Sequence, residues 1–248
     1  MPQIALQLYT VRDALAHDYQ GIIRQIAGMG YDGVEAAGMY GESVQSARAL
    51  FDSLNLTVPS AHLRVIDDAD SRKQALDDAA VLGARYAVVP FIPPDQFGSV
   101  EQVAGHCDRI NAALADVSAR GMRLLYHNHA WEFTATANLG ERTPFEIMLE
   151  QLDPAVGFEI DTYWVQHAGM NPSAVISQLG ERAPLLHMKD GNPGTDEAMM
   201  AVGDGQVDFV GIMRAAQADW WIVELDHHDG DMLEAVAKSA GYLKSLTG

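Results

Sequence analysis

Residues 86–128 read YAVVPFIPPDQFGSVEQVAGHCDRINAALADVSARGMRLLYHN, and this run decides the fold. It opens on Tyr86–Phe91, a short block of aromatic and β-branched residues next to prolines, the pattern of a buried strand. From Ser99 to Ala119, the residues Val100, Val103, Cys107, Ile110, Leu114 and Val117 step by three and four, which traces the apolar stripe of one helix. Gly121 follows as a helix stop, and Arg123–Asn128 is a second apolar block. Strand, helix and strand in that order make a βα unit that returns to a parallel neighbour. Cys107 lies on the stripe with no cation beside it in sequence, so it reads as a small buried apolar residue and not as a reactive thiol.

The same alternation runs outward in both directions. Strands are expected at Ile4–Tyr9, Gly33–Ala36, Thr57–His62, Tyr86–Phe91, Arg123–Asn128, Gly157–Asp161, Leu185–Lys189 and Trp221–Asp226. Helices are expected at Asp18–Met29, Ser43–Asn55, Ser71–Leu82, Ser99–Ala119, Pro144–Leu152, Pro172–Leu179, Asp208–Ala216 and Asp231–Leu246. Eight strand-then-helix units in 248 residues, with no Pro- or Ser-rich linker, match a (β/α)8 TIM barrel, one α/β domain over residues 1–248. A doubly wound open sheet would want a glycine-rich phosphate turn after an early strand, where this chain has Thr10-Val11-Arg12-Asp13. There is no Walker motif and no G-x-S-x-G, and Val202-Gly203-Asp204-Gly205 reads as a tight turn before a helix.

Charge and composition narrow the partners. The 34 acidic and 16 basic side chains give a formal charge of −18, which repels phosphate backbones and anionic membrane surfaces; the basic residues are scattered, with no local patch. No apolar stretch approaches the ~20 residues needed to cross a bilayer. The single cysteine cannot form an internal disulfide, and nothing at the N-terminus reads as a secretion signal, so a cytoplasmic location is expected.

Barrel enzymes carry their chemistry at the C-terminal ends of the strands. Six of the nine histidines, His62, His127, His129, His187, His227 and His228, stand at expected strand ends, with Glu35, Asn128, Asp161, Lys189, Asp190, Glu224 and Asp226. Residues two apart share a strand face, so Glu159 and Asp161 point together, as do His187 and Lys189, and Glu224 and Asp226. Asp161, His187 and Glu224 facing inward would converge on the barrel mouth and suit a divalent cation such as Mn, Mg, Co or Zn. The competing reading is a buried ion-pair network around Lys189, which would leave the surplus of carboxylates uncompensated.

The segments Leu6–Asp13, Tyr126–Phe133 (YHNHAWEF), Glu159–Trp164 (EIDTYW) and His187–Gly191 (HMKDG) carry a resemblance that spans nearly the whole chain. They resemble the sugar phosphate isomerase/epimerase family of xylose-isomerase-like TIM barrels. The resemblance implies a divalent metal held by Glu, Asp, His and Glu from strands five to eight, and Asp161, His187 and Glu224 match three of those positions. At the fifth strand end this chain has Asn128, with Glu132 four residues on; Glu132 is favoured as the fourth ligand because a carboxylate holds a hard cation better than an amide.

What the resemblance implies in chemistry is isomerisation or epimerisation of a sugar or keto-sugar, by removing the proton beside a carbonyl through an enediolate. Glu224 is the expected base, with Glu132, His127 or His129 returning the proton and Lys189 neutralising oxyanion charge or holding Glu159. Tyr9, Glu35, His62, Asn128, Trp131 and Trp164 are expected to contact the substrate. Without a symmetric glutamate pair, a keto-sugar or cyclitol dehydratase or eliminase is the alternative. No helix-terminal glycine nest with Arg and Lys is evident, so an unphosphorylated sugar is expected. Two further readings are an abasic-site endonuclease, which the −18 charge opposes, and a sugar-binding barrel without chemistry. Rims in this group often pair across a homodimer.

Overall fold

Pro90 has no N–H to give to a sheet ladder, and the fourth strand, β4 (Tyr86–Val89), stops just before it. The structure, a computed structural model, describes residues 2–247. Its other strands are β1 (Gln3–Gln7), β2 (Gly33–Glu35), β3 (Ser60–His62), β5 (Arg123–His127), β6 (Gly157–Asp161), β7 (Leu185–Met188) and β8 (Trp220–Val223). They pair in parallel in the order β2-β1-β8-β7-β6-β5-β4-β3. β2 and β3 meet through bridges from Gly33 to Thr57 and from Ala36 to Ala61, which close the sheet into a barrel. Glycine is required at 33, because a Cβ there would collide with the Thr57 carbonyl oxygen.

The helices are α1 (Arg12–His17), α2 (Tyr19–Gly28), α3 (Val44–Ser53), α4 (Ala69–Leu82), α5 (Val100–Ser118), α6 (Pro144–Gln151), α7 (Thr162–His167), α8 (Pro172–Leu179), α9 (Phe209–Ala215) and α10 (Met232–Thr247). Eight of them match the expected helices. The other two, α1 and α7, have six residues each, too few to leave an amphipathic period in the sequence. Side chains start the helices where sequence chemistry allows: Ser99 Oγ accepts from Gln102 N, and Thr143 with Glu146 forms a capping box on α6. In α5, Val103, Cys107, Ile110 and Val117 are fully buried, as the stripe requires. Among the described residues no helix is long and apolar enough to cross a membrane.

Strand alternation separates two cores. Outward-facing Leu6, Tyr126, Phe158, Ile160, Leu186 and Met188 join the helix stripes in the larger one. Inward-facing Ala5, Tyr86, Val88, Leu125, Leu185, Trp220 and Ile222 fill the barrel interior. Two residues further along, the inner face turns polar: Leu125 is followed by His127, Leu185 by His187 and Ile222 by Glu224. The apolar plug is therefore a floor on which a layer of titratable groups stands at the C-terminal end of the barrel.

Candidate metal centre and its cleft

Asp161 ends β6 and caps α7. Its Oδ1 accepts from Trp164 N at 2.9 Å, while Oδ2 is buried without an aligned hydrogen bond. Oδ2 lies 3.1 Å from Lys189 Nζ and 3.8 Å from His127 Nε2. From the next two strands, His187 Nδ1 stands 2.8 Å from Glu224 Oε2. His127, Asp161, His187 and Glu224, all buried, thus offer one ligand atom each within 4.8 Å of one another. Two imidazoles and two carboxylates, gathered with Lys189 as the one nearby ammonium, fit a divalent cation, because such a group of acids is costly to bury without compensating charge.

Under this layer lie two more carboxylates, Glu35 and Glu159, both fully buried. Glu35 Oε2 is 2.7 Å from His187 Nε2 and receives Gln7 Nε2 at 2.5 Å. Glu159 Oε2 is 2.7 Å from His62 Nε2 and 3.1 Å from His127 Nδ1. His62 stacks on His187 with ring centroids 5.3 Å apart.

The electrostatics follow from this crowding. Burial pushes the Asp161 carboxyl up to about 6, against the pull of Lys189 and His187. Burial also works to raise Glu224, but Lys189 and His187 outweigh it and hold that carboxyl well below the usual range. Burial alone would lower His187; the facing carboxylates of Glu159, Glu35 and Glu224 override it and hold the ring well above its ordinary value. His127 goes the other way, to about 3, through burial and the nearby His187.

A cleft of about 690 Å³ opens above the layer, with His62, His127, Lys189, Glu224 and Asp226 at its base. Tyr9, Phe91, Trp131 and Trp164 wall it. His129 stacks on Trp131 at 4.4 Å, and burial keeps its ring neutral, with Nδ1 unpartnered. A second surface cleft of about 760 Å³, beside α1, α2 and the loop after β2, is larger but holds none of these clustered ligands. Chemistry, not volume, marks the site.

A sequence model described as xylose isomerase-like TIM barrel matches residues 23–246. The chain belongs to that family. A sugar phosphate isomerase/epimerase structure from Parabacteroides distasonis is similar over 99% of this chain and 94% of its own, with 25% identity and a TM-score of 0.83. A second structure of that description from the same organism has 24% identity, TM-score 0.82 and 98% coverage of both chains. A xylose isomerase domain protein from Alicyclobacillus acidocaldarius shares the fold at 19% identity and TM-score 0.73, over 99% of this chain and 98% of that one. No curated protein matches the sequence.

In this xylose isomerase-like barrel Asp161, His187 and Glu224 lie together with His127 from the fifth strand, and a second candidate group, His62, His127, Glu159 and His187, shares two of those residues. Neither residue weighed as the fourth ligand joins them. Glu132 has both oxygens engaged elsewhere: Oε1 accepts from the Tyr126 hydroxyl at 2.6 Å and Oε2 from His129 N at 2.9 Å. Asn128 clips β5 to β6, its Oδ1 accepting from Asp161 N at 3.0 Å. Alternation explains the placement, since His127 shares the inner face with Leu125 and Asn128 takes the opposite one. Tyr9, His62, His129, Trp131, Trp164 and Lys189 all line the cleft, whereas Glu35 and Asn128 are buried behind it.

The glycine turn at 202–205 also has a structural role. Asp190, fully buried, accepts backbone N–H bonds from Gly191, Gly203, Gly205 and Val207 at 2.8–3.1 Å. This folds the β7–α9 loop onto the end of the strand that carries His187 and Lys189.

Proposed function

We propose that this barrel is a divalent-metal-dependent isomerase or epimerase of sugars or keto-sugars that removes the proton next to a carbonyl. The observation that carries the reading is the convergence of His127, Asp161, His187 and Glu224 at the base of an aromatic-walled cleft. A donor set of two imidazoles and two carboxylates suits Mn, Co or Zn better than Mg. When bound, such a cation supplies Lewis acidity, which acidifies the C–H beside a coordinated carbonyl.

The chain's own residues divide the remaining work. Glu224 is ionised and faces the cleft, and it is the base. Glu224 carries the abstracted proton and is the group that returns it; His129, neutral with an unpartnered Nδ1, stands on the wall and accepts a hydrogen bond from a substrate hydroxyl. Lys189 sits 2.8 Å from Glu224 Oε2 and balances negative charge as it grows on substrate oxygen. Tyr9, Phe91, Trp131 and Trp164 pack against sugar C–H faces and exclude water. An unphosphorylated substrate fits best: Arg12 is spent on the carbonyls of Tyr9 and Asp226, and Arg64 on Asp67.

A second reading, dehydration or elimination on a keto-sugar or cyclitol, is favoured by the fifth strand end, which carries Asn128 where the resemblance implies a glutamate, because one of two opposed carboxylate bases is then missing. Incubating Mn- or Co-loaded protein with sugars and keto-sugars in D2O separates the two. Isomerase or epimerase action gives deuterium next to the carbonyl and a new sugar; elimination gives an enone absorbance and loss of water. Neither signal with any member of the panel would refute both. Nicking of an abasic duplex by the metal-loaded protein would instead favour the endonuclease reading, and sugar binding without turnover the non-catalytic one.

A further inference from the structure

We propose that Glu35 and Glu159 are positioning residues, which set the tautomers of His187 and His127 so that each ring turns an unprotonated nitrogen toward Asp161 and Glu224. The inference rests on the metal reading above and concerns two carboxylates that line no part of the cleft.

A neutral imidazole has one N–H donor and one lone pair, and an ionised carboxylate can only accept. The nitrogen that faces a carboxylate at hydrogen-bond distance therefore keeps the proton, and the other nitrogen is free. For His127, Nδ1 is 3.1 Å from Glu159 Oε2, while Nε2 is 3.8 Å from Asp161 Oδ2, beyond hydrogen-bond reach. Its proton sits on Nδ1 and its lone pair on Nε2, directed at the cluster.

For His187, Nε2 faces two carboxylates, Glu35 at 2.7 Å and Glu159 at 3.1 Å, and Nδ1 faces Glu224 alone at 2.8 Å. The Nε2 proton is thus the better held of the two. His187 Nδ1 and Glu224 both belong to the proposed ligand set, so with a cation held there Nδ1 would offer its lone pair while Nε2 keeps the ring proton.

Each of the lower carboxylates is itself anchored by a donor outside the proposed ligand set. Gln7 Nε2 holds Glu35 Oε2, and His62 Nε2 holds Glu159 Oε2. The contacts form one cross-linked network, since His62 Nε2 also lies 3.2 Å from Glu35 Oε2 and His187 Nε2 3.1 Å from Glu159 Oε2, so that Gln7 and His62 together anchor the carboxylates behind His187 and His127. Carboxylates behind metal-bound histidines raise ligand basicity and fix ring orientation, and their loss weakens metal affinity by about 10–100-fold.

The test uses full-length protein labelled with 15N-histidine and loaded with Zn, which is diamagnetic. Long-range 1H–15N spectra are expected to show His127 protonated at Nδ1 only and His187 at Nε2 only. In parallel, chelator competition on folded E35Q and E159Q is expected to show Zn bound at the wild-type stoichiometry with affinity lowered about 10–100-fold. Reversed tautomers, or variants that bind Zn as tightly as wild type, would overturn the inference and leave the metal reading intact. If the variants fail to fold, the tautomers in wild type decide. Wild-type protein that binds no Zn, Mn or Co would overturn the metal reading, and this inference with it.

Discussion

Lys189 Nζ lies 2.8 Å from Glu224 Oε2, and both side chains are buried at the base of the cleft. Asp161 Oδ2 at 3.1 Å and Asp226 Oδ2 at 2.9 Å complete three carboxylates around one ammonium. Removing one member of such a buried group leaves uncompensated charge and costs about 3–5 kcal/mol. K189M is expected to lose stability of that order in urea unfolding without metal. Added Mn or Zn should recover more of it than it adds to wild type, since a cation then has no ammonium beside it. A variant as stable as wild type without metal would contradict this electrostatic picture.

Asp190 supports the β7–α9 loop through four backbone N–H groups. An unsatisfied buried donor costs roughly 1–3 kcal/mol. D190A is therefore expected to lose about 3 kcal/mol or more, read from the urea midpoint. D190N, which keeps one acceptor oxygen, should lose less.

Glu132 gives a pH dependence with a defined sign. Burial raises its carboxyl from the ordinary value near 4.5 to about 7, against the bonds from Tyr126 and His129. Between those values the folded chain keeps a proton that the unfolded chain releases, so its contribution is intact below pH 4.5 and is lost as pH rises through about 7. The loss is on the order of 3 kcal/mol. Urea unfolding from pH 4.5 to 8 should show wild type losing more stability with rising pH than E132Q does. Parallel curves would show that Glu132 titrates normally.

Cys107 is buried in the α5 stripe, and burial pushes its thiol up to about 12. At pH 8 a thiol reagent such as Ellman's reagent is expected to leave the native protein unmodified and to titrate one thiol in urea. Rapid native modification would place the residue outside the core.

Much of this was legible in the sequence because barrel units repeat a simple pattern. All eight strands and eight of the ten helices follow from apolar periodicity, and strand ends differ where the chain bends into the cleft. Leu8–Val11 leaves the expected first strand as a 3-10 turn, and Pro90 cuts the fourth short. Asp161, His187 and Glu224 were readable because they sit at strand ends on one parity. Glu132 and Asn128 lie outside the candidate groups for a reason of parity and packing: strand alternation turns His127 to the inner face of β5 and Asn128 away from it, and Glu132 is held by Tyr126 and His129. The pairing of Glu35 with His187 joins strands 152 residues apart, and such a contact appears only when the barrel closes. Tyr126, on the outer face of β5, draws Glu132 away from the mouth, and no local spacing announces that bond.

Metal stoichiometry tests the central claim most directly. Elemental analysis of protein expressed with excess Mn, Co and Zn and then desalted should give about one divalent ion per chain for wild type and for E132Q. D161A and H127A, checked for folding by circular dichroism, should fall well below that. A wild type without bound metal would contradict the claim, and so would H127A that keeps its ion while E132Q loses it.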